Sequence, residues 1–346
     1  MSESTIPGGS TTKESVVLSS WAGLRNNTSS ERLAPNDLER ATNIDLDDTG
    51  QPRRRRGYTL VSAGSFHSIW TSSRGVLGVK NGALGFLTTN YTFVQLQTGI
   101  GPTPLAYVEI GPEIYFSSET NSGIIAEDNS VSAWGAVASE GTWLSPVVNP
   151  TATLSPISGR LLGKPPMATS LTHYNGRIYL ANDRTLWATE MYLYRYTDKT
   201  KNFFQFESPI TALGSVADGF FVGTETGTWF LSGNLREMRR VAAEQEPVIR
   251  GSMHEVSPDS LPEIPLKTRK AVVFMTPGGV CAGLDGGMVV SLTGDRMWFP
   301  DATRVASLFR RQDGINQYIA VADSGGTPSS NARIGDHVDA EIRRRI

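Results

Sequence analysis

The residue types that carry most catalytic and metal chemistry are few and scattered in this chain. The four histidines, His67, His173, His254 and His337, lie far apart, and none falls within an H-E-x-x-H or Ser/His/Asp signature. We therefore expect them on the surface or in turns. The single cysteine, Cys281, excludes an internal disulfide and any metal cluster built on several cysteines. The sequence predicts no catalytic residue, no metal ligand and no cofactor.

The sequence does not match the patterns of two further types of site, a calcium loop and a phosphate loop. Asp45, Asp47 and Asp48 with Gly50 faintly resemble a calcium loop, but no glutamate closes the template, so a solvated turn is favoured. The chain has no G-x-x-x-x-G-K-[ST] phosphate loop. It also lacks the S-x-D-x-G-x-x-W boxes of sialidase propellers, although carboxylates occur throughout and leave a glycosidase open as an alternative.

The strongest charge feature is the run Arg53, Arg54, Arg55 and Arg56. Four adjacent guanidinium groups repel one another unless they meet carboxylates, phosphates or solvent. No neighbouring basic or aromatic residues extend the run into a nucleic-acid patch. We favour a strand whose arginines alternate between a subunit contact and solvent. Whether the run meets protein or DNA stays open.

Composition indicates a globular protein made in the cytoplasm. The 346 residues carry 32 Lys+Arg and 34 Asp+Glu, a net charge of −2, which argues against coating nucleic acid or an anionic membrane. Hydrophobic residues make up 39%, enough for a core. The chain has no apolar run of about 20 residues and no signal-peptide pattern, so we expect no membrane insertion.

Glycine and proline, at 35 and 19 residues, are spread along the chain and indicate many short strands joined by turns. From Tyr58 onward, units of short strands recur, and the landmark glycines Gly176, Gly219 and Gly279 lie roughly 40–60 residues apart. We predict an all-β fold, a β-propeller of about five to seven blades, with a sandwich still possible. The predicted organisation is a flexible tail over 1–15, an extended N-terminal arm with a strand hairpin over 16–57, and the propeller over 58–346.

Within the arm, Val16–Leu18 is a possible strand, and Pro35 with nearby acidic residues predicts one or two helical turns over Ala34–Ala41. Residues 43–50 predict a strand that runs into a hairpin-type turn. The segment Pro146–Pro166 is interpreted as an excursion between blades. Most tryptophans are expected in blade cores, although a sugar platform would use them equally well: Trp21, Trp70, Trp134, Trp143, Trp187, Trp229 and Trp298.

Several short motifs carry a resemblance to a known family. They include residues 21–26 (WAGLRN), 41–50 (ATNIDLDDTG), 54–58 (RRRGY), 223–231 (GTETGTWFL) and 335–342 (GDHVDAEI). Together they resemble virion proteins of tailed bacteriophages, in particular the tail nozzle proteins of short-tailed phages, in which such an N-terminal stretch leads into a β-propeller.

The resemblance implies a structural virion protein, not an enzyme: a nozzle or equivalent ring subunit of the tail, below the head–tail adaptor. It would line the DNA exit channel and contribute to tail assembly, genome retention and ejection. Its partners would be copies of itself in a six-fold ring, the head–tail adaptor or portal-side proteins, other tail proteins, and phage DNA in transit. The arm supplies the candidate subunit contacts Trp21, Leu24, Arg25, Arg53, Arg54, Arg55 and Arg56.

Two other functions remain open. A propeller lectin or glycosidase acting on host-surface glycan would need exposed aromatics flanked by carboxylates on one propeller face, so the exposure of Trp70, Trp134, Trp143 and Trp298 discriminates. A cytosolic propeller scaffold is weaker, because no WD or kelch signature occurs.

Overall fold

The computed structural model describes residues 20–41, 44–46, 49–54, 57, 59–135, 162–244, 246–261, 268–312, 315–323 and 339–345. The chain forms two compact units, Met1–Arg56 and Gly57–Ile346. Across the described ranges the regular structure is all β, with short 3-10 turns at Ser30–Arg32, Leu235–Glu237, Pro258–Ser260, Asp285–Gly287 and Gly294–Arg296 and no α-helix. No helix among these residues is long and apolar enough to cross a membrane.

The first unit contains two small strand pairs. Strands β1 (Gly23–Leu24) and β2 (Asp37–Leu38) pair in parallel, whereas β3 (Ile44–Leu46) and β4 (Pro52–Arg54) form an antiparallel hairpin. The hairpin confirms the strand and turn expected after residue 43. The helical turns expected over Ala34–Ala41 are wrong, because β2 takes its backbone hydrogen bonds from β1 and tertiary pairing overrides local propensity. The possible strand Val16–Leu18 lies outside the described residues.

The second unit is a five-bladed β-propeller arrangement of four-stranded antiparallel sheets, which confirms the predicted fold class. Blade 1 comprises β5 (Phe66–Ser72), β6 (Gly75–Lys80), β7 (Ala83–Leu87) and β8 (Phe93–Gln97). Blade 2 comprises β9 (Ala106–Ile110), β10 (Glu113–Ser117), β11 (Ser122–Ile125) and β12 (Val131–Ala133). Strand β13 (Leu162–Gly163) pairs with β17 (Thr197–Asp198) beside the third sheet.

Blade 3 comprises β14 (Ser170–Tyr174), β15 (Arg177–Asn182), β16 (Thr185–Ala188) and β18 (Phe203–Gln205). Blade 4 comprises β19 (Ile210–Ser215), β20 (Gly219–Thr224), β21 (Gly227–Ser232) and β22 (Arg239–Glu244). Blade 5 comprises β23 (His254–Val256), β24 (Ala271–Thr276), β25 (Gly279–Gly283) and β26 (Val289–Ser291). A three-stranded sheet follows: β27 (Arg304–Gln312), β28 (Ile315–Asp323) and β29 (Asp339–Arg345).

Apolar side chains between consecutive sheets hold the blades together. Leu77 and Leu84 of blade 1 pack against Ile114 and Phe116 of blade 2, and all four are buried. Comparable clusters join each later pair of blades and join blade 5 to the three-stranded sheet. Each such side chain stabilises the folded state by about 1.5–3 kcal/mol. A single blade cannot bury both faces alone, so stacking is what makes these sheets stable.

The first strands of neighbouring blades also contact one another, β9 with β14 and β14 with β19. They therefore form the inner side of the arrangement. Side chains from several blades can meet there, although they are distant in sequence. This inner position brings together the polar cluster described below.

Candidate functional site

The predicted subunit-contact residues of the N-terminal unit belong to two strand pairs. Trp21 and Leu24 are partly buried, and the Trp21 amide donates a hydrogen bond to the carbonyl oxygen of Gly50 at 2.8 Å. The Arg25 amide donates to Leu38 O at 2.9 Å, which extends the parallel pairing by one residue. The first part of the arm is thus tied into the unit by its own backbone.

Arg25 has a charged partner inside the unit. Its Nη1 lies 3.5 Å from Asp37 Oδ2, and the Asp37 side chain is only 2% exposed. A carboxylate buried this deeply needs a nearby cation. The guanidinium of Arg25 therefore stabilises the arm itself, in addition to any contact with another subunit.

Arg53 and Arg54 are placed differently, since both are exposed on β4. In the hairpin register Arg53 stands opposite Asp45, and Arg54 stands opposite Ile44. Successive side chains of a strand point to opposite faces, so the two guanidinium groups leave the hairpin on opposite sides. Arg55 and Arg56 lie outside the described residues, as do Asp47 and Asp48 of the considered calcium loop.

A polar cluster on the inner strands was missed by the sequence analysis. The carboxylate of Glu255 on β23 accepts hydrogen bonds at Oε1 from the Ser215 amide (2.9 Å), the Ser215 hydroxyl (2.7 Å) and the Thr172 hydroxyl (3.2 Å). Its Oε2 lies 2.6 Å from Lys270 Nζ. Thr172, Ser215 and Glu255 belong to blades 3, 4 and 5. No local pattern could reveal this cluster, because its members converge only through the stacking of three blades.

The charges of this inner cluster decide what it can do. Lys270 Nζ donates to Ser215 Oγ at 2.6 Å, and such a serine–lysine pair can supply a nucleophile when the amine is neutral. Desolvation alone would raise the pKa of Glu255, but the charge of Lys270 and the hydrogen bonds from Lys270 and Ser215 hold it below its usual value. The Lys270 amine is in turn engaged by the ion pair with Glu255 Oε2 and by its hydrogen bond to Ser215 Oγ. The cluster is suited to clasping blades together.

The described histidines lie in three different sheets. His67 hydrogen-bonds Gly101 O through Nε2 at 3.1 Å, His173 Nε2 lies 3.4 Å from the Tyr194 hydroxyl, and His254 Nε2 lies 2.8 Å from Ser307 Oγ. Burial lowers the pKa of both His173 and His254. Within the described ranges no group of histidine, cysteine and carboxylate side chains is placed to hold a metal ion. His337 lies outside those ranges.

Most of the described tryptophans pack within the blades. Trp134 is 1% exposed and donates through Nε1 to Tyr194 O at 2.9 Å, and Trp70 stacks on Tyr107 with 5.4 Å between ring centroids. The guanidinium carbon of Arg240 lies over the Trp229 ring, 4.5 Å from the centroid of that ring. Trp298 differs, with 55% of its surface exposed. Trp143 lies outside the described residues, as does most of the predicted excursion Pro146–Pro166.

Comparison with known proteins finds structural similarities of low identity and no matching family. No protein-family model matches the chain, and no curated protein matches it. Among solved structures, the computationally designed Ika8 protein is 13% identical, with a TM-score of 0.41 over 82% of this chain and 79% of that one. The WD40 domain of Neurospora crassa Pan2 is 11% identical, with a TM-score of 0.41 over 74% of this chain and 71% of that one.

A third similar structure is much longer than this chain. The extracellular domain of the hybrid two component system BT4673 from B. thetaiotaomicron is 11% identical, with a TM-score of 0.45 over 76% of this chain and 31% of that chain. This chain therefore spans about a third of that structure. Similarity at these TM-scores carries no argument about the function of this chain; its β-propeller arrangement is given by the sheet topology.

Proposed function

We propose that this protein is a structural virion protein of a tailed bacteriophage, a tail nozzle or equivalent ring subunit below the head–tail adaptor. The observation that carries the proposal is the exposed arginine strand, Arg53 and Arg54 on β4, in a small unit separate from the propeller. A ring subunit needs a contact surface that differs from its partner surface on the next copy. Two exposed guanidinium groups on opposite sides of one hairpin suit such a contact.

The interior of the arm supports the same proposal. Arg25 is paired with Asp37 within the unit, and Arg53 and Arg54 are exposed on its surface. The sequence of this unit also holds the motifs at 21–26 and 41–50 that resemble phage virion proteins. The arm thus combines internal order with external charge, which favours a role in assembly.

The packing of the propeller favours a role as a rigid structural scaffold for the second unit. Buried clusters join each blade to the next, and Glu255 links three blades through hydrogen bonds and an ion pair. A rigid scaffold suits a channel that must keep its diameter while DNA passes. The net charge of −2 favours passage as well, because a wall that neutralised many phosphates would hold the DNA back.

Electron microscopy of the purified protein and of the phage particles that contain it tests the proposal. We expect six-fold rings in the purified sample and density for this chain in the tail below the adaptor. A dispersed monomer that is absent from particles would contradict the proposal. That outcome would favour the glycan-binding alternative, and a sugar-binding screen would then follow.

A further inference from the structure

An open cleft on blade 1 has the size of a ligand site. Its volume is about 500 Å³, and the residues that line it include Lys80, Asn81, Tyr91, Phe93 and Gln95. Small-molecule sites commonly measure about 300–1,000 Å³ and combine aromatic surface with a few convergent polar groups. None of these residues belongs to the arm or to the inner cluster of Thr172, Ser215, Glu255 and Lys270, so the proposed function does not account for the cleft.

Lys80 supplies the single cation of the described lining. Its Nζ lies 5.2 Å from the ring centroid of Phe66 and 5.9 Å from that of Phe93, and it donates one hydrogen bond, to Ser62 Oγ at 3.1 Å. An ammonium group has three donors, so two remain for a ligand. No carboxylate stands among the described residues that line the cleft. An oxyanion would therefore meet a charge that is not already neutralised.

The Lys80 side chain is held in position by the loop before β5. Gly64 in that loop has a φ of +131°, and a Cβ at this position would lie 2.9 Å from Lys80 Cε. The loop therefore passes close to the lysine stem. A long side chain fixed in this way loses less conformational entropy when it binds a ligand.

The remaining polar groups are suited to hydroxyls. Asn81 Oδ1 accepts a hydrogen bond from the Ser65 backbone amide at 2.9 Å, which orients the Asn81 side-chain amide. The two Nδ2 hydrogens of Asn81 are not used in this bond. Gln95 is exposed at the cleft, and its amide can both donate and accept. A sugar hydroxyl also donates and accepts, so side-chain amides match it.

Tyr91 adds an aromatic surface at the rim. Its side chain is 52% exposed, and a tight turn holds it in place, since the Tyr91 amide donates to Thr88 O at 2.9 Å and the Thr88 amide donates to Thr92 O at 2.9 Å. An exposed ring beside polar groups can cover the apolar face of a small ring-shaped ligand.

We propose that this cleft binds a small sugar acid. The carboxylate would lie at Lys80, the hydroxyls would meet the amides of Asn81 and Gln95, and the sugar ring would lie against Tyr91. A simple anion would use only the lysine and leave the amides and the tyrosine without a role. Ring assembly through the arm does not depend on this site.

Calorimetric titration of the full chain with sodium glucuronate, glucose and acetate tests the assignment. We expect glucuronate to bind more tightly than either glucose or acetate. Lys80→Met should weaken glucuronate binding about ten-fold or more, because a charge-assisted hydrogen bond is lost. Tyr91→Gly, which suits the positive φ of that residue, should weaken it several-fold. Lys201→Met removes an exposed lysine of blade 3 and should leave binding unchanged.

Circular dichroism and the thermal midpoint report whether each variant folds. Should Lys80→Met fail to fold, Gln95→Ala at an exposed position provides the second test, and we expect weaker glucuronate binding there too. Absence of glucuronate binding to the wild type would overturn the proposal. Glucuronate binding by folded Lys80→Met that is as tight as that of the wild type would also overturn it. Where Gln95→Ala serves as the test, unchanged glucuronate binding by that variant would overturn it. Acetate binding as tight as that of glucuronate would reduce the cleft to a site for simple anions and refute the sugar.

Discussion

Glu255 Oε2 lies 2.6 Å from Lys270 Nζ, while Glu255 Oε1 accepts hydrogen bonds from residues of two preceding blades. One carboxylate thereby connects blades 3, 4 and 5 at their first strands. Hydrophobic contacts between blades are non-directional, whereas this cluster specifies how the three sheets are aligned. Removing the interactions of Glu255 should therefore destabilise the alignment of the three blades while the hydrophobic core stays packed.

Glu255→Gln should destabilise the propeller by about 1 kcal/mol. The amide keeps the shape of the side chain but loses the ion pair with Lys270, and the 41% exposure of the glutamate side chain limits the loss through solvent screening. Urea unfolding at pH 7 measures the difference. Glu225→Gln is the matched control, because the Glu225–Arg250 pair is a looser surface contact at 3.4 Å. Equal effects in both variants would contradict a special role for Glu255.

The same carboxylate should make stability depend on pH under acidic conditions. The pKa of Glu255 is lowered from its ordinary value of 4.5, so the folded state binds fewer protons than the unfolded state below that value. Its contribution is complete well above pH 4.5 and is lost as the pH falls through the lowered pKa. Unfolding curves from pH 6 to pH 3 should therefore show a shallower decline for Glu255→Gln than for the wild type.

His254 should produce a second pH effect nearer to neutrality. Burial lowers its pKa below 6.5, although the hydrogen bond with Ser307 opposes the shift, and the ring packs edge-on against Tyr318. The unfolded state then binds more protons below pH 6.5, so stability should fall as the pH drops from 7 to 5, by at most about 1.4 kcal/mol per pH unit for one proton.

The variant His254→Gln tests this contribution, because glutamine does not titrate. His173, whose pKa burial also lowers, contributes in the same direction, so the double variant with His173→Gln should have the flattest dependence. Urea unfolding at pH 7, 6 and 5 measures the slopes. Identical slopes for the wild type and the double variant would exclude both histidines as the source.

Gly251 governs the junction between blade 5 and the three-stranded sheet. Its φ is +82°, and a Cβ there would collide with the carbonyl oxygen of Val305. The Val305 amide donates to Arg250 O at 2.8 Å, and Ser307 Oγ donates to Gly251 O at 2.6 Å. Any side chain at this position would push β27 away from blade 5.

Gly251→Ala should therefore lower the free energy of unfolding by about 1–3 kcal/mol, in addition to the loss caused by the strain of the positive φ. Gly111→Ala isolates that strain, because Gly111 has a φ of +58° with open space around it, and should cost about 1 kcal/mol. Thermal unfolding gives the comparison, and hydrogen exchange should show faster opening of β27 and β28 in Gly251→Ala. Equal losses for the two variants would refute the close approach.

The central hairpins of the blades were predictable because each strand carries its own signal. The landmark glycines mark three of them, because β15 (Arg177–Asn182) follows Gly176, β20 begins at Gly219 and β25 begins at Gly279. Such strands are buried on both faces by neighbouring blades, so their composition alone identifies them. The propeller follows from their number and spacing.

The edge strands gave no comparable signal. Strand β22 (Arg239–Glu244) begins with two exposed arginines, and Arg240 is held by stacking on Trp229. Strand β23 (His254–Val256) has only three residues, and no apolar run marks it as the first strand of blade 5. Glu255 was missed because Thr172 and Ser215, which donate hydrogen bonds to it, lie 83 and 40 residues earlier in sequence.

The arginine strand of the arm leads to the prediction that bears most directly on assembly. Arg53→Ser with Arg54→Ser should leave the free energy of unfolding within about 0.5 kcal/mol, since both side chains are exposed on β4. Ring formation should instead require at least about ten-fold more protein, because charged contacts at an interface are lost. Sedimentation velocity over a concentration series measures the amounts of monomer and of ring.

The matched control is Arg236→Ser with Arg239→Ser, which removes two exposed arginines from blade 4 and the same net charge. If bulk charge governed association, both double variants would behave alike, and raising the salt concentration would mimic them equally. If β4 provides the contact, only the first variant loses rings. Unchanged assembly in the Arg53 and Arg54 variant would remove the contact interpretation and direct attention to DNA as the partner of these arginines.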